Sequence, residues 1–211
     1  MPLEVGAHSA AHGDANAALK TERYVWFITG PTACGKTTVA KYLAEKLNLT
    51  FLEGDDYHPK ANIEKMSRGE ALTDQDRADW LAALRDHESV TPEPGKAPHL
   101  VITCSALKKS YRDLLREGAN QADNLRVRFI FLNAPEEVLV ERATNRKGHY
   151  AKANLVHSQF EILERPDGEP DCITVDVNRP MEETEKEVLD KVEAMLRKDN
   201  TDLSAMPDGG L

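Results

Sequence analysis

Two short polar stretches of this 211-residue chain carry the residue types that phosphate and hydroxyl chemistry needs. The first, GPTACGKT at residues 30–37, matches the pattern G-x-x-x-x-G-K-[ST] in full. The second, EGDDYHP at residues 53–59, places three carboxylates and a histidine directly after a short apolar run. Phosphate groups can bind at the first stretch, and a hydroxyl group can be oriented or deprotonated at the second.

The 30–37 stretch predicts a loop that wraps the phosphates of a nucleoside triphosphate. A strand pattern precedes it and a helical pattern follows, which is the context that the motif requires. Backbone N–H groups can surround the β-phosphate, and the N-terminus of the following helix adds a partial positive charge. Lys36 is expected to bridge the β- and γ-phosphates, and the Thr37 hydroxyl to hold Mg²⁺. The predicted nucleotide-binding residues here are Gly30, Pro31, Thr32, Ala33, Cys34, Gly35, Lys36, Thr37 and Thr38.

The acidic stretch predicts an acceptor site that faces the γ-phosphate. A small-molecule kinase needs an acid beside the acceptor hydroxyl, and Asp55 is expected to orient it. His58 can hydrogen-bond a polyol oxygen, while Glu53 is expected to lie closer to the metal. No aspartate ends the strand pattern at 99–105, so Glu53 or Asp55 must complete the Mg²⁺ shell, and the sequence leaves that choice open. The alternative interpretation of this stretch is an exposed turn.

The overall composition limits the class of protein. The net charge of −9 argues against non-specific binding to nucleic acid. The three cysteines are far apart and form neither a disulfide framework nor a zinc-ligand pattern. No apolar run approaches the ~18 residues of a membrane helix. We therefore expect a cytoplasmic protein without nucleic-acid or membrane partners, with a disordered leader at 1–22 and a disordered tail at 198–211.

Strand and helix patterns alternate between these two tails. The alternation predicts a three-layer α/β/α sandwich with a central parallel sheet. The strand patterns lie at 24–29, 50–54, 99–105, 127–133 and 172–177. The helical patterns lie at 36–47, 73–87, 107–118, 135–146, 154–164 and 179–196, and a basic helix start follows Pro59. Thr73 is the predicted N-cap of its helix, and Trp80, Leu81 and Leu84 are predicted core residues.

Five segments of the chain resemble the small ATP-dependent gluconokinase family, within the nucleoside-monophosphate-kinase-like P-loop group. In family order they are GPTACGKTT, FLEGDDYHPKANIEKMSRGEALTDQDRADWL, CSALKKSYRDLLR, RKGHY and SQFEILERP. The resemblance implies phosphorylation of D-gluconate to 6-phospho-D-gluconate by direct in-line transfer from ATP, with Mg²⁺ as cofactor. It also implies a homodimer, a product that feeds the pentose phosphate pathway, and a mobile lid at about 143–165. The chain length and the pattern between the two tails predict one kinase domain over 23–197.

The resemblance also supports two cations for the gluconate carboxylate. Lys108 and Arg112 lie just beyond a strand pattern, where the N-terminus of a helix favours anions. Arg112 suits a bidentate grip on a carboxylate better than a lysine does. For the adjacent Lys109, a solvated basic helix face is the favoured alternative.

The lid residues are carried over from the family in the same way. Arg142 and Arg146 are expected to contact ATP, one near the adenine and one at the transferring phosphoryl group, and Arg146 is expected to be catalytic together with Lys36 and Asp55. His149 and Gln159 are expected to reach the substrate from the lid side. For Gln159, a surface position on an amphipathic helix is the alternative interpretation.

Two other functions stay open at the level of sequence. One is a kinase for another small hydroxy acid or for a nucleoside monophosphate. The other is a nucleotide-dependent switch or an inactive binding module. A switch GTPase needs a guanine-reading N-K-x-D motif, and the nearest match, TNRK at 144–147, does not fit it.

Overall fold

A five-stranded parallel sheet forms the centre of the protein. The computed structural model describes residues 23–87, 99–121, 125–145 and 149–198. Within them the strand order is β2-β3-β1-β4-β5. The strands are β1 (Arg23–Thr29), β2 (Thr50–Leu52), β3 (Leu100–Thr103), β4 (Leu125–Asn133) and β5 (Cys172–Asp176).

Helices connect the strands in the described part of the chain. The α-helices are α1 (Lys36–Lys46), α2 (Lys60–Ser67), α3 (Asp74–Arg85), α4 (Lys109–Arg116), α5 (Glu136–Asn145), α6 (His149–Glu161) and α7 (Met181–Lys198). Short 3-10 helices follow β2 at Gly54–Tyr57 and α4 at Glu117–Gln121. None of the described helices combines the length and apolar character needed to cross a membrane.

Both faces of the sheet are covered by helices. Successive side chains of a strand point to opposite faces. Tyr24, Trp26 and Ile28 of β1 therefore join one core with α1, α5, α6 and α7, whereas Val25 and Phe27 join the other core with α3 and α4. Trp80, Leu81 and Leu84 are buried in the second core, as predicted. The predicted three-layer sandwich is confirmed.

Several predicted elements have different bounds in the structure, and two of these differences lie close to the site. β2 ends at Leu52 rather than residue 54, because the Gly54 N–H donates to the Thr103 side chain and not to the backbone of the next strand. The helix predicted at 154–164 spans His149–Glu161. It ends early because the Glu164 N–H donates to the Leu107 carbonyl, which draws the chain toward α4.

The first turn of α3 is built as the sequence predicts. The Thr73 hydroxyl accepts from the Asp76 N–H, and the Asp76 carboxylate accepts from the Thr73 N–H, which together make a capping box. The predicted leader at 1–22 and residues 199–211 of the predicted tail lie outside the described residues, and Lys198, the first residue of that tail, is the last residue of α7.

Candidate active site

The carboxyl ends of β1, β2 and β3 bring the two polar stretches of the sequence together. β1 leads into the phosphate loop, and β2 leads into the 3-10 helix that contains Asp55. A pocket with about 530 Å³ of empty space, its open mouth included, lies at this edge of the sheet. Its lining residues are Thr32, Lys36, Asp55, His58, Met66, Leu72, Arg77, Trp80, Ser105, Leu155, Ser158 and Gln159.

The phosphate loop has the geometry that its glycines and lysine predict. Gly30 has a φ of 132°, and a Cβ atom there would lie 2.8 Å from the Leu132 carbonyl oxygen, so only glycine fits. The Lys36 Nζ donates to the carbonyls of Gly30 and Pro31, at 3.0 Å each. No side chain caps the N-terminus of α1 at Gly35. The first N–H groups of α1 are therefore not taken up by a capping side chain and can serve a phosphate group.

Oxygen ligands suited to Mg²⁺ lie beside the loop. The Thr37 Oγ1 donates to the Glu53 Oε2 at 2.8 Å, and the Thr103 hydroxyl donates to the Glu53 Oε1. Among the described residues, no three His, Cys, Asp or Glu side chains cluster into a metal cage. Mg²⁺ in phosphoryl-transfer sites takes one or two protein oxygens and completes its shell with phosphates and water. The Thr37 and Glu53 pair fits that requirement, and it favours Glu53 over Asp55 beside the metal.

Asp55 and His58 face the same pocket from the segment after β2. Asp55 is exposed, and its Oδ1 lies 3.9 Å from the His58 Nε2. The His58 ring is buried and stacks on Trp80 with ring centroids 4.0 Å apart. Burial, together with the charge of Arg77, lowers the pKa of His58 to about 4. His58 is therefore neutral at pH 7 and can hydrogen-bond a hydroxyl without adding a charge.

Trp80 has a second role that the prediction of a core residue did not include. Its Nε1 donates to the Gly54 carbonyl at 2.7 Å, while the Gly54 N–H donates to the Thr103 Oγ1 at 2.9 Å. The N–H and the carbonyl of Gly54 are therefore both hydrogen-bonded, which fixes the backbone that carries the adjacent Glu53 and Asp55. The sequence signal was the indole N–H, which needs an acceptor when it is buried.

Arg77 is a pocket residue that sequence reasoning missed. It is 6% exposed, donates to the Leu72 carbonyl, and holds its guanidinium 5.8 Å from the centre of the Tyr111 ring. Within the described ranges it makes no ion pair with a carboxylate. The available signal was its position three residues before Trp80, which places both side chains on one face of α3.

Arg112 and Lys108 are engaged away from the pocket. Arg112 is 1% exposed, and its guanidinium binds both carboxylate oxygens of Glu169, at 2.5 and 3.0 Å, and two backbone carbonyls. Lys108 forms an ion pair with Asp74 at 2.7 Å. These contacts argue against the predicted grip of Arg112 on a gluconate carboxylate, because its donors already have acceptors. Lys109 is exposed and pairs with Asp113, as its alternative interpretation expected.

The lid residues are described only in part. The Gln159 Oε1 accepts from the Thr32 N–H at 2.6 Å, so α6 contacts the phosphate loop at the pocket. Arg142 donates to the Val177 carbonyl at 2.7 Å. Arg146 and the side chain of His149 lie outside the described residues. The predicted roles of Arg142, Arg146 and His149, and the mobility of the lid, stay predictions.

The chain is similar to known proteins in both sequence and fold. A family model described as an AAA domain matches residues 25–165. A probable gluconokinase of Schizosaccharomyces pombe is 46% identical over 177 residues, covering 83% of this chain and 91% of that protein. The thermoresistant gluconokinase of Escherichia coli K12 is 41% identical over 162 residues, covering 76% and 89%. A solved gluconokinase structure from Sinorhizobium meliloti 1021 matches with a TM-score of 0.72 at 38% identity, covering 84% and 95%. The chain therefore belongs to the gluconokinase family.

Proposed function

We propose that the protein transfers the γ-phosphoryl group of ATP to the terminal hydroxyl of D-gluconate, forming 6-phospho-D-gluconate. One observation carries this proposal. A single pocket is lined by the phosphate-loop residues Thr32 and Lys36 and by the acceptor-site residues Asp55, His58 and Arg77. The pocket thus offers a donor side and an acceptor side within one cleft. The relatives that are named gluconokinases support the choice of acceptor.

In this proposal Asp55 accepts a hydrogen bond from the acceptor hydroxyl and takes its proton as transfer proceeds. Neutral His58 hydrogen-bonds a neighbouring hydroxyl of gluconate. Lys36 moves from the loop carbonyls to the β- and γ-phosphates, and transfer is direct and in-line, without a covalent enzyme intermediate. Thr37 and Glu53 would hold Mg²⁺, which neutralises phosphate charge when it is bound.

We assign the gluconate carboxylate to Arg77 in place of Arg112. A buried guanidinium normally has an anionic partner, because leaving a charge unpaired away from water is costly. Arg112 has that partner in Glu169, whereas no carboxylate of the described residues lies within ion-pair distance of Arg77. Asp74 interacts with Arg77 only at longer range and is already paired with Lys108. A carboxylate ligand at the Arg77 end of the pocket would supply the missing charge and leave the far hydroxyl for Asp55.

Further properties of the protein are inferred from its family resemblance. We infer a cytoplasmic homodimer whose product enters the pentose phosphate pathway, with Arg142 and Arg146 contacting ATP and His149 and Gln159 contacting gluconate. The contact between Gln159 and Thr32 supports the part assigned to Gln159, because it places that side chain at the pocket.

The testing experiment is a coupled assay of the purified protein with Mg²⁺-ATP and D-gluconate. 6-Phospho-D-gluconate is read through its dehydrogenase, and the controls are reactions with shikimate and with no acceptor. We expect gluconate-dependent product, its loss in Lys36→Ala, and a fall in kcat of about 10²-fold or more in Asp55→Asn with ATP affinity retained.

Three outcomes would contradict parts of this proposal. ATP consumption with another hydroxy acid but not with gluconate would retain the kinase and replace the acceptor. Tight ATP binding without turnover on any acceptor would indicate a binding module or a switch. A loss confined to ATP binding in Asp55→Asn would move Asp55 into the metal shell.

A further inference from the structure

We propose that Thr103 is a positioning residue that orients the Glu53 carboxylate toward the metal site. Thr103 ends β3, the strand whose end lacks an aspartate in this sequence. Its hydroxyl donates a hydrogen bond to Glu53, which directly follows the neighbouring strand β2. This role depends on the proposed Mg²⁺-ATP site.

The hydrogen-bond directions at Thr103 are determined by its partners. The Thr103 hydroxyl has one hydrogen, and the Gly54 N–H already donates to its oxygen at 2.9 Å. The ionised Glu53 carboxylate can only accept, so the hydroxyl hydrogen must point to the Glu53 Oε1. Thr103 is 1% exposed, so water has little access to compete for either bond.

The opposite oxygen of Glu53 completes the arrangement. The Glu53 Oε2 accepts from the Thr37 hydroxyl at 2.8 Å. The Thr37 hydroxyl donates its hydrogen to Glu53, so the lone pairs of the Thr37 oxygen stay available to a cation. Glu53 is therefore fixed by two hydroxyl groups, one from the end of β3 and one from the first turn of α1. Outer partners of this kind typically change metal affinity about 10–100-fold when they are removed.

The backbone next to Glu53 is equally constrained. A Cβ atom on Gly54 would lie 1.9 Å from the Thr103 carbonyl oxygen, so the chain passes β3 at a distance that only glycine allows. Losing the Thr103 hydroxyl would leave the Gly54 N–H without this acceptor as well as Glu53 without its donor. A test must therefore separate a specific effect on the metal from a general loss of structure.

The test compares Thr103→Val and Thr103→Ser with the wild type in a binding experiment without gluconate. Binding of a fluorescent ATP analogue is followed first without divalent metal and then during titration with Mg²⁺. We expect Thr103→Val to weaken the apparent Mg²⁺ affinity about 10-fold or more with metal-free nucleotide affinity within about twofold, and Thr103→Ser to retain it. Thr29→Val is the matched control, because Thr29 is also a buried strand-end threonine but donates to the Ile130 carbonyl.

A double-mutant cycle adds a second criterion. Glu53→Gln alone should weaken Mg²⁺ affinity, and adding Thr103→Val should weaken it little further if Thr103 acts through Glu53. A folded Thr103→Val protein with the wild-type Mg²⁺ dependence would overturn the proposal, as would fully additive losses. If Thr103→Val does not fold, Thr103→Ala is measured against the same two criteria. Because no acceptor is present, these results do not depend on whether gluconate is the substrate.

Discussion

At the scale of single residues, the role of an arginine depends on which acceptors its neighbours provide. Arg77 and Arg112 are 6% and 1% exposed, and both lie near the carboxyl edge of the sheet. The guanidinium of Arg112 donates hydrogen bonds to Glu169 and to two backbone carbonyls. Arg77 donates to one backbone carbonyl and lines the pocket, so it is the guanidinium that can meet a ligand there.

Arg77→Met tests this assignment at the level of substrate choice. We expect kcat/KM for gluconate to fall about 30-fold or more, because a buried charge pair with the substrate is removed. Glucitol has the hydroxyl groups but no carboxylate, so its kcat/KM should fall much less. The ratio of kcat/KM for gluconate to that for glucitol should therefore decrease. Steady-state kinetics with both acceptors measure this.

Arg85→Met is the matched control for that comparison. Arg85 lies on the same helix but pairs with Asp86 and Glu117, and it should leave the preference for gluconate unchanged. An equal fall for gluconate and glucitol in Arg77→Met would mean that Arg77 supports the pocket without reading the carboxylate.

At the scale of elements, the segment between α6 and β5 is fastened to α4. The Glu164 carboxylate accepts from the Lys109 N–H at 2.6 Å, at the start of α4. Glu169 binds Arg112 and Arg116 of the same helix. These bonds anchor the C-terminal end of α6, the helix that brings Gln159 to the phosphate loop. Arg112 thus holds the segment between α6 and β5 against α4.

Arg112→Met should therefore affect stability more than substrate binding. Arg112→Met removes the buried partner of Glu169 but leaves Arg116 bound to the same carboxylate. We therefore expect a loss of about 2–3 kcal/mol, which is less than the cost of about 3–5 kcal/mol expected when a buried charge is left fully unpaired. Urea unfolding should show this loss, while the KM for gluconate in the folded variant stays within about twofold. Lys109→Met, at a site where 60% of the side chain is exposed, should change stability by less than about 0.5 kcal/mol. Normal stability with a raised KM would return Arg112 to the substrate site.

At the scale of the whole molecule, buried neutral histidines stand at both ends of the sheet. His58 lies at the carboxyl edge and His99 directly precedes β3. The His99 Nδ1 accepts from the Tyr24 N–H at 3.2 Å. Burial lowers the pKa of each to about 4, helped by the charge of Arg77 at His58 and of Arg23 at His99. The folded protein therefore does not bind the protons that the same two histidines bind in the unfolded chain near their ordinary pKa of about 6.5.

The free energy of unfolding should decrease as the pH falls from about 6.5 to about 4, because the unfolded state then binds more protons. For each histidine, every unit of difference between the unfolded and folded pKa changes the free energy of unfolding by at most about 1.4 kcal/mol. Carboxylates with a lowered pKa, such as Asp76 at about 2, stabilise the fold until the pH falls below about 4. Their effect on the free energy of unfolding is therefore distinguished from that of the histidines by the lower pH at which it is lost. Urea unfolding at several pH values measures the slope, and His99→Gln should flatten it. A flat profile between pH 6.5 and 5 would contradict this prediction.

Local sequence patterns predicted the order of the strands and helices, the phosphate loop and the acidic stretch. Each depends on residues close together in the chain: the eight residues from Gly30 to Thr37, the N-cap at Thr73, and the apolar pattern of β1. The family resemblance added the acceptor, and comparison with known gluconokinases agrees with it. Local patterns suffice here because backbone hydrogen bonding and burial follow fixed periods.

The pairing of side chains that are far apart in the chain becomes visible only in the folded protein. Arg112 meets Glu169 from 57 positions away, and Thr103 meets Glu53 from 50 positions away. The sequence shows the types of these residues but not their pairing. It therefore indicates a ligand-binding role for Arg112, and for Thr103 it indicates a strand position without the contact to Glu53. Pairing is set by how α4, β3 and the loops pack together, since a buried polar group takes whichever partner the fold brings within hydrogen-bond distance.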